Sequence, residues 1–158
     1  DLERNPIKDA AGPNDFPHAM KVQSRAAKAD FYTVAKRASD QEIGYTYTQG
    51  RSISSLIQKT QNCLGERNEP LSQLLILVVP MKTQQAEIVA TVFAAWNNLL
   101  LKGNEFNAED IVTEARENWR EEKRLIPREK FFNAIEWIRK NELLIPKGNG
   151  KIVKAKEN

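Results

Sequence analysis

The sequence predicts an α+β fold in which a small α/β segment is followed by three helices and a β-hairpin. Three observations predict it: a change of hydrophobic period along the first half, amphipathic helical stretches in the second half, and a glycine-rich turn near the C-terminus. The 158 residues, 41% of them apolar, suffice for one domain or two small ones. We divide the chain into residues 1–22, 23–80 and 81–158.

The first 22 residues show neither the period of a strand nor that of a helix. Pro6, Gly12, Pro13 and Pro17 lie among scattered charges, a composition typical of linkers. We expect residues 1–22 to form a flexible arm or linker.

The α/β segment begins with an alanine-rich stretch, residues 24–38, whose apolar positions follow helical spacing. Ile43, Tyr45 and Tyr47 then alternate with small or polar residues, which predicts a half-buried strand that ends at Gly50. The order predicted for this part is therefore helix, then strand.

A second helix is predicted over residues 52–64, because its apolar residues again follow helical spacing and Gly65 stands where a C-cap glycine belongs. The continuous apolar run Leu74–Val79, stopped by Pro80, favours a strand covered on both faces. Strand, helix and strand in this order predict a short crossover unit with parallel strands. Two strands make a poor sheet alone, so we expect further strands from elsewhere in this chain, a parent protein or a second copy.

Three helices are predicted in the C-terminal domain. The first covers residues 84–102, with Thr83 as its N-cap and Gly103 at its end. Asn107 and Asp110 have the spacing of a capping box and open the second. The third starts near Pro127, and helical geometry places its core-facing residues on one side. These residues are Phe131, Ala134, Ile135 and Ile138.

A basic hairpin is predicted after the third helix. Gly148-Asn149-Gly150 supplies residues that tolerate positive φ, and Lys147 and Lys151 flank the turn. Residues 127–158 contain eight basic and four acidic side chains, whereas residues 104–126 contain four basic and seven acidic ones. The positive charge is therefore concentrated on the third helix and the hairpin.

Residues 82–155 resemble the winged helix-turn-helix superfamily, and the stretch 131–145 carries the resemblance best. In that superfamily a helix with spaced apolar residues is followed by an aliphatic strand and a basic wing that contains glycine. Glu142 stands where the superfamily often has a glycine. The resemblance implies a DNA-binding fold but names no specific family and no function.

The functional hypothesis is a DNA-binding module, part of a larger DNA-processing or regulatory protein, that grips duplex DNA with its third helix and wing. Phosphate contacts would supply the affinity, and Asn133 would contact a base. This hypothesis requires that the basic hairpin, with Lys147 and Lys151 beside its turn, projects toward the DNA. The proposed contact residues are Arg128, Lys130, Asn133, Arg139, Lys140, Lys147 and Lys151.

An alternative hypothesis is a protein–protein assembly module that docks a partner subunit or the catalytic body of a larger enzyme. The second helix is acidic, and Glu129 and Glu136 lie on the outward face of the third helix. Phe132 and Trp137 lie on its shoulders, where an exposed aromatic side chain favours a protein interface.

No catalytic or metal-binding motif is present, so we expect a non-catalytic chain without a cofactor. His18 is the only histidine and Cys63 the only cysteine, and no glycine-rich phosphate loop occurs. Cys63 is predicted to be a buried or half-buried helix residue, and Glu42 is the only carboxylate at a predicted strand. A metal-dependent nuclease would need several carboxylates at strand ends.

No apolar run is long enough to cross a membrane and the N-terminus lacks the apolar stretch of a secretion signal, so we expect an intracellular, cytoplasmic protein with no membrane partner. The chain begins at Asp1 without a methionine, and we expect it to be a piece of a larger protein.

Overall fold

The structure is a computed structural model that describes residues 6–38, 43–103 and 105–155. It combines helices with two small antiparallel sheets, which confirms the α+β class. The chain divides into two compact units. One unit joins the described residues up to Asp15 to those from Ser72 onward, and the other is Phe16–Leu71.

An N-terminal hairpin is formed by β1 (Ile7–Asp9) and β2 (Gly12–Asn14). It packs against the C-terminal helices, since Lys8 Nζ donates to Glu114 Oε1 at 2.8 Å and Trp119 Nε1 donates to the Asp9 carbonyl at 3.0 Å. The prediction of a flexible arm over residues 1–22 is therefore wrong for its described part. Partners about a hundred positions away hold the hairpin, and no local pattern reveals them.

Helix α1 (Phe16–Lys28) begins inside the predicted arm and ends earlier than the predicted helix 24–38. Asp30 has φ of 54°, and the amides of Asp30 and Phe31 donate to the carbonyls of Ala27 and Ala26. This is the Schellman pattern, which ends a helix. The prediction of helix beyond Lys28 is wrong because the following residues pair in a sheet.

The second sheet consists of β3 (Tyr32–Ala38) and β4 (Ile43–Gln49), paired antiparallel from Tyr32↔Gln49 to Ala38↔Ile43. The strand predicted from residue 43 is confirmed. Helix α2 (Ile53–Leu64) follows and is capped by Gly65 with φ of 52°, also as predicted.

The apolar run Leu74–Val79 lies almost entirely in a helix, α3 (Asn68–Val78), and not in a strand. The predicted strand and the crossover unit built on it are therefore wrong. A short apolar run fits either structure. Pro70 within the first turn is the local signal that favours the helix.

The C-terminal helices are α4 (Thr83–Lys102), α5 (Ala108–Val112) and α6 (Arg128–Lys140). A π-helical turn, Thr113–Glu117, extends α5, and a 3₁₀ turn, Glu121–Leu125, precedes α6. Gly103 caps α4 with φ of 72°, whereas the N-cap is Lys82 and not Thr83.

The start of α5 carries the predicted capping box. The Asn107 side chain accepts from the Asp110 amide, and the Asp110 side chain accepts from the Asn107 amide. The three helices enclose the hydrophobic core, and all four residues predicted to face the core from α6 are buried in it. The central core residues are Ile88, Val92, Ala95, Ile111, Val112, Ala115, Phe131, Ala134, Ile135 and Ile138.

The segment after α6 does not form the predicted hairpin. A 3₁₀ turn, Glu142–Leu144, is followed by extended chain without a ladder, and Lys154 makes an isolated bridge with Ile7. We call residues 145–155 the C-terminal strap. Gly148 and Gly150 have positive φ, as predicted, but the strap lies along α4 instead of folding back on itself.

Two consecutive asparagines of α4 hold the strap. Asn98 Nδ2 donates to the Val153 carbonyl at 3.0 Å, and its Oδ1 accepts from the Val153 amide at 2.8 Å. Asn97 makes the equivalent pair of bonds, to the Asn149 carbonyl and the Gly148 amide. The backbone groups that a wing would use in a ribbon are thus bonded to side chains of α4, which is the physical reason that the wing prediction is wrong.

Candidate functional site

Arg128, at the start of α6, is bonded to two carboxylates. It donates to Glu117 Oε1 and to Glu109 Oε2, both at 2.6 Å. Arg116 donates to the same Glu117 oxygen at 2.6 Å. The Arg116 hydrogen bond, assisted by Arg128, lowers the pKa of Glu117 below its ordinary value. A phosphate would have to compete with two carboxylates for Arg128, so this residue is a structural ion-pair partner.

Arg139, near the end of α6, is also paired. Its Nη1 lies 2.7 Å from Glu136 Oε1, and its guanidinium lies 5.9 Å from the centre of the Trp96 ring. Lys140 beside it is exposed and has no carboxylate partner among the described residues. Of these two neighbouring predicted contact residues, Arg139 is therefore paired with a carboxylate and Lys140 is not, among the described residues.

Lys147 and Lys151 are exposed on the C-terminal strap. Gly148 between them packs so closely on α4 that an added Cβ would lie 3.3 Å from the Leu100 Cβ. Because the strap follows α4, these lysines do not tip a projecting ribbon. Both lysines are at the surface, as predicted, but the projecting hairpin from which they were predicted to contact DNA is not formed.

Lys130 and Asn133 lie in a groove between α4 and α6, and they are the only predicted contact residues among its lining side chains. The groove has a volume of about 380 Å³, and its floor is formed by Ile88, Val89 and Ala134, all buried. This floor is apolar, as in sites that bind an organic group.

The wall and rim of the groove come from both helices. Trp137, half-buried on α6, forms an aromatic wall, and the polar rim consists of Lys82, Gln84, Gln85, Lys130 and Asn133. Two cations and three amides therefore surround an apolar floor, and no carboxylate is among the lining residues.

Lys130 has a neutral partner. Its Nζ donates to Gln84 Oε1 at 2.6 Å, and no carboxylate lies within ion-pair distance of it among the described residues. By contrast Lys8, Lys123 and Arg128 in the same unit are paired with carboxylates. A carboxylate or phosphate of a ligand can replace the neutral amide oxygen with a gain in charge attraction.

The sequence did not reveal Gln84, Gln85 and Trp137 as a rim and wall. Lys82, Gln84 and Gln85 are ordinary polar residues at the start of a helix, and Trp137 was placed only on a shoulder of α6. Their common position around the groove follows from the packing of α4 beside α6, with Lys130 near Gln84 at one end and Arg139 near Trp96 at the other. A local pattern carries no signal for this pairing.

In the part of the chain that the structure describes, no group of three or more His, Cys, Asp or Glu side chains is placed to hold a metal ion. Cys63 is exposed on α2, so the prediction that it is buried or half-buried is wrong, and Glu42 lies outside the described residues. No helix in the described ranges is both long and apolar enough to span a membrane.

Comparisons with protein-family models, with characterised proteins and with solved structures found no match to this chain.

Proposed function

We propose that this chain is an assembly module, which docks a partner subunit or the body of a larger protein and contributes no catalytic group itself. One observation carries the proposal. The core residues all belong to the unit that contains the C-terminal helices, whereas the unit Phe16–Leu71 buries none of its described side chains. A folded unit with apolar side chains but no buried core gains stability when another surface covers it.

Large apolar side chains are exposed in both units. Ile76 in α3 and Val79 directly after it are 73% and 74% exposed. Tyr45, Tyr47 and Ile57 are exposed as well. Among the described residues, the sheet of β3 and β4 has only two strands. The outer edge of each strand is therefore open to pairing with a further strand. Apolar surface and open strand edges are both features of a protein–protein interface.

Light scattering on the purified chain tests the proposal, because an uncovered apolar surface associates with itself when its partner is missing. We expect a mass well above the 18.0 kDa monomer at tens of micromolar, together with binding of the dye ANS. The double variant Ile76→Glu/Val79→Glu should restore the monomer and reduce dye binding.

The matched control is Thr60→Glu/Gln61→Glu, which adds the same charge at exposed polar positions of α2. It should leave the mass unchanged. A wild-type chain that is monomeric and does not bind the dye contradicts the assembly proposal.

A second candidate function is binding of duplex DNA by α4–α6 and the strap. The observation that favours it is a group of lysines with no carboxylate partner among the described residues: Lys82, Lys130, Lys140 and Lys147. Lysines without a protein counter-charge are suited to phosphate contacts.

The salt dependence of binding to a short duplex tests this candidate. Removing one lysine–phosphate interaction should reduce the slope of log affinity against log salt by roughly 1. We expect Lys147→Gln/Lys151→Gln to weaken binding and to lower the slope by about 2 if both residues bind phosphates. An unchanged slope excludes the strap from DNA binding, and absence of any gel shift for the wild-type chain removes the candidate.

A further inference from the structure

We propose that the groove between α4 and α6 binds a short acidic peptide segment of a partner protein, with an apolar side chain against Trp137 and a carboxylate on Lys130. This inference deepens the assembly proposal and rests on it, but the lining residues of the groove do not include Ile76 or Val79. The groove would determine which partner binds, whereas the exposed apolar side chains would contribute buried interface area.

The floor of the groove favours a peptide over a nucleic acid. Ile88, Val89 and Ala134 are 4%, 8% and 6% exposed, so the floor is apolar and recessed below the rim. A DNA backbone offers sugars and phosphates and gains little from such a surface. A leucine or phenylalanine side chain gains free energy in proportion to the apolar area that leaves water. The volume of 380 Å³ lies in the range of small-ligand sites, which begins at about 300 Å³.

The charges of the rim specify the polar part of the ligand. Lys82 and Lys130 are the charged groups of the lining, and both are exposed. A carboxylate that replaces the Gln84 oxygen at Lys130 forms a charge-assisted hydrogen bond, about twice as strong as a neutral one. The nearest carboxylates along α6, Glu129 and Glu136, are outside the lining, and Glu136 is paired with Arg139.

The amides of the rim match a peptide backbone. Gln84, Gln85 and Asn133 each offer both donors and an acceptor, whereas a phosphate requires donors only. An extended peptide presents amide and carbonyl groups alternately, and the rim can bond to both. Charge, apolar floor and amides therefore agree on one class of ligand, an acidic peptide with an apolar anchor.

A peptide titration monitored by NMR on the full chain tests the inference. The probe is acetyl-Glu-Leu-Leu-Glu-amide, and the control peptides replace both glutamates by glutamine or both leucines by serine. We expect the probe to shift the indole signal of Trp137 and the side-chain amide signals of Gln84 and Gln85. Both control peptides should bind about tenfold more weakly, since loss of one charge-assisted bond or one anchor corresponds to about 1.4 kcal/mol.

Two protein variants give the matched comparison. Lys130→Gln removes the charge in the groove, and Lys140→Gln removes an equal charge on the same helix outside the lining. We expect Lys130→Gln to lower the affinity for the probe peptide about tenfold. Lys140→Gln should change this affinity by less than about twofold.

The inference is overturned by equal effects of the two variants, by equal affinity for the glutamine peptide, or by no binding at millimolar concentration. The inference is also overturned if a short DNA duplex shifts the same signals and binds with higher affinity than the probe. That result would assign the groove to nucleic acid. These results leave the light-scattering test of α3 untouched, so failure of the groove and failure of the assembly proposal are distinguishable.

Discussion

Glu87→Ala is expected to destabilise the C-terminal unit by about 3–5 kcal/mol, because it leaves a charged lysine buried without its counter-ion. The side chain of Lys123 is 0% exposed, and its Nζ is bonded to Glu87 Oε1. Glu87 lies on α4 and Lys123 in the 3₁₀ turn before α6, so the pair joins two elements of the core. Removing only one partner of a buried pair exposes the full desolvation cost of the other.

Urea unfolding followed by tryptophan fluorescence measures this effect. The chain has three tryptophans, Trp96, Trp119 and Trp137, and all lie in the unit that contains the ion pair. The signal therefore reports the unfolding of that unit and not of Phe16–Leu71.

Two further variants separate burial from charge in general. Glu122→Ala removes a carboxylate one position from Lys123, but its pair with Arg120 is exposed on both sides. We expect a change of less than about 1 kcal/mol there. Glu87→Leu/Lys123→Met, which removes both charges together, should recover most of the lost stability. Equal effects of Glu87→Ala and Glu122→Ala would show that the pair contributes no more than a surface contact.

Asn98→Ala is expected to cost about 2–4 kcal/mol and to release the C-terminal strap from α4. Asn98 is 1% exposed, and its side chain satisfies both the amide and the carbonyl of buried Val153. Each buried backbone group left without a partner costs about 1–3 kcal/mol. Alanine supplies neither donor nor acceptor, so both backbone groups lose their partner at once.

Hydrogen exchange at the Val153 amide, together with urea unfolding, measures the effect. The control is Asn97→Ala, which removes the same two kinds of bond from the more exposed positions Gly148 and Asn149. Because water can replace those bonds, we expect a loss of about 1 kcal/mol or less. The prediction is contradicted if Asn97→Ala destabilises the chain as much as Asn98→Ala, or if exchange at Val153 stays slow in both.

The parts of the fold that local sequence predicts are those with a complete local signal. The capping box of Asn107 and Asp110 is formed as predicted, and Gly65 and Gly103 cap the helices they follow. Phe131 and Ile135, spaced for one helix face, are buried in the core. In each case the residues that decide the structure lie within one helical turn or at the end of one element.

The candidate site is only half visible in the sequence. Asn133 was selected on the outward face of the third helix and Lys130 on one side of that face, and the structure places both in the groove. Arg128 was also selected from the third helix, but the structure pairs its guanidinium with the carboxylates of Glu109 and Glu117. Outward orientation on a helix follows from its period, but whether a cation is free or paired depends on which neighbour packs beside it.

The sequence by itself determined α2, α4 and α6, the C-terminal ends of α2 and α4, the cap of α5 and the residues that α6 buries, because helical period and capping act over a few residues. Only the tertiary structure decided the N-terminal hairpin, the path of the strap and the groove. The Lys8–Glu114 pair spans 106 positions, and the Asn98–Val153 bonds span 55. Such partners are close to each other only in the packed structure, so no local pattern of residues records them.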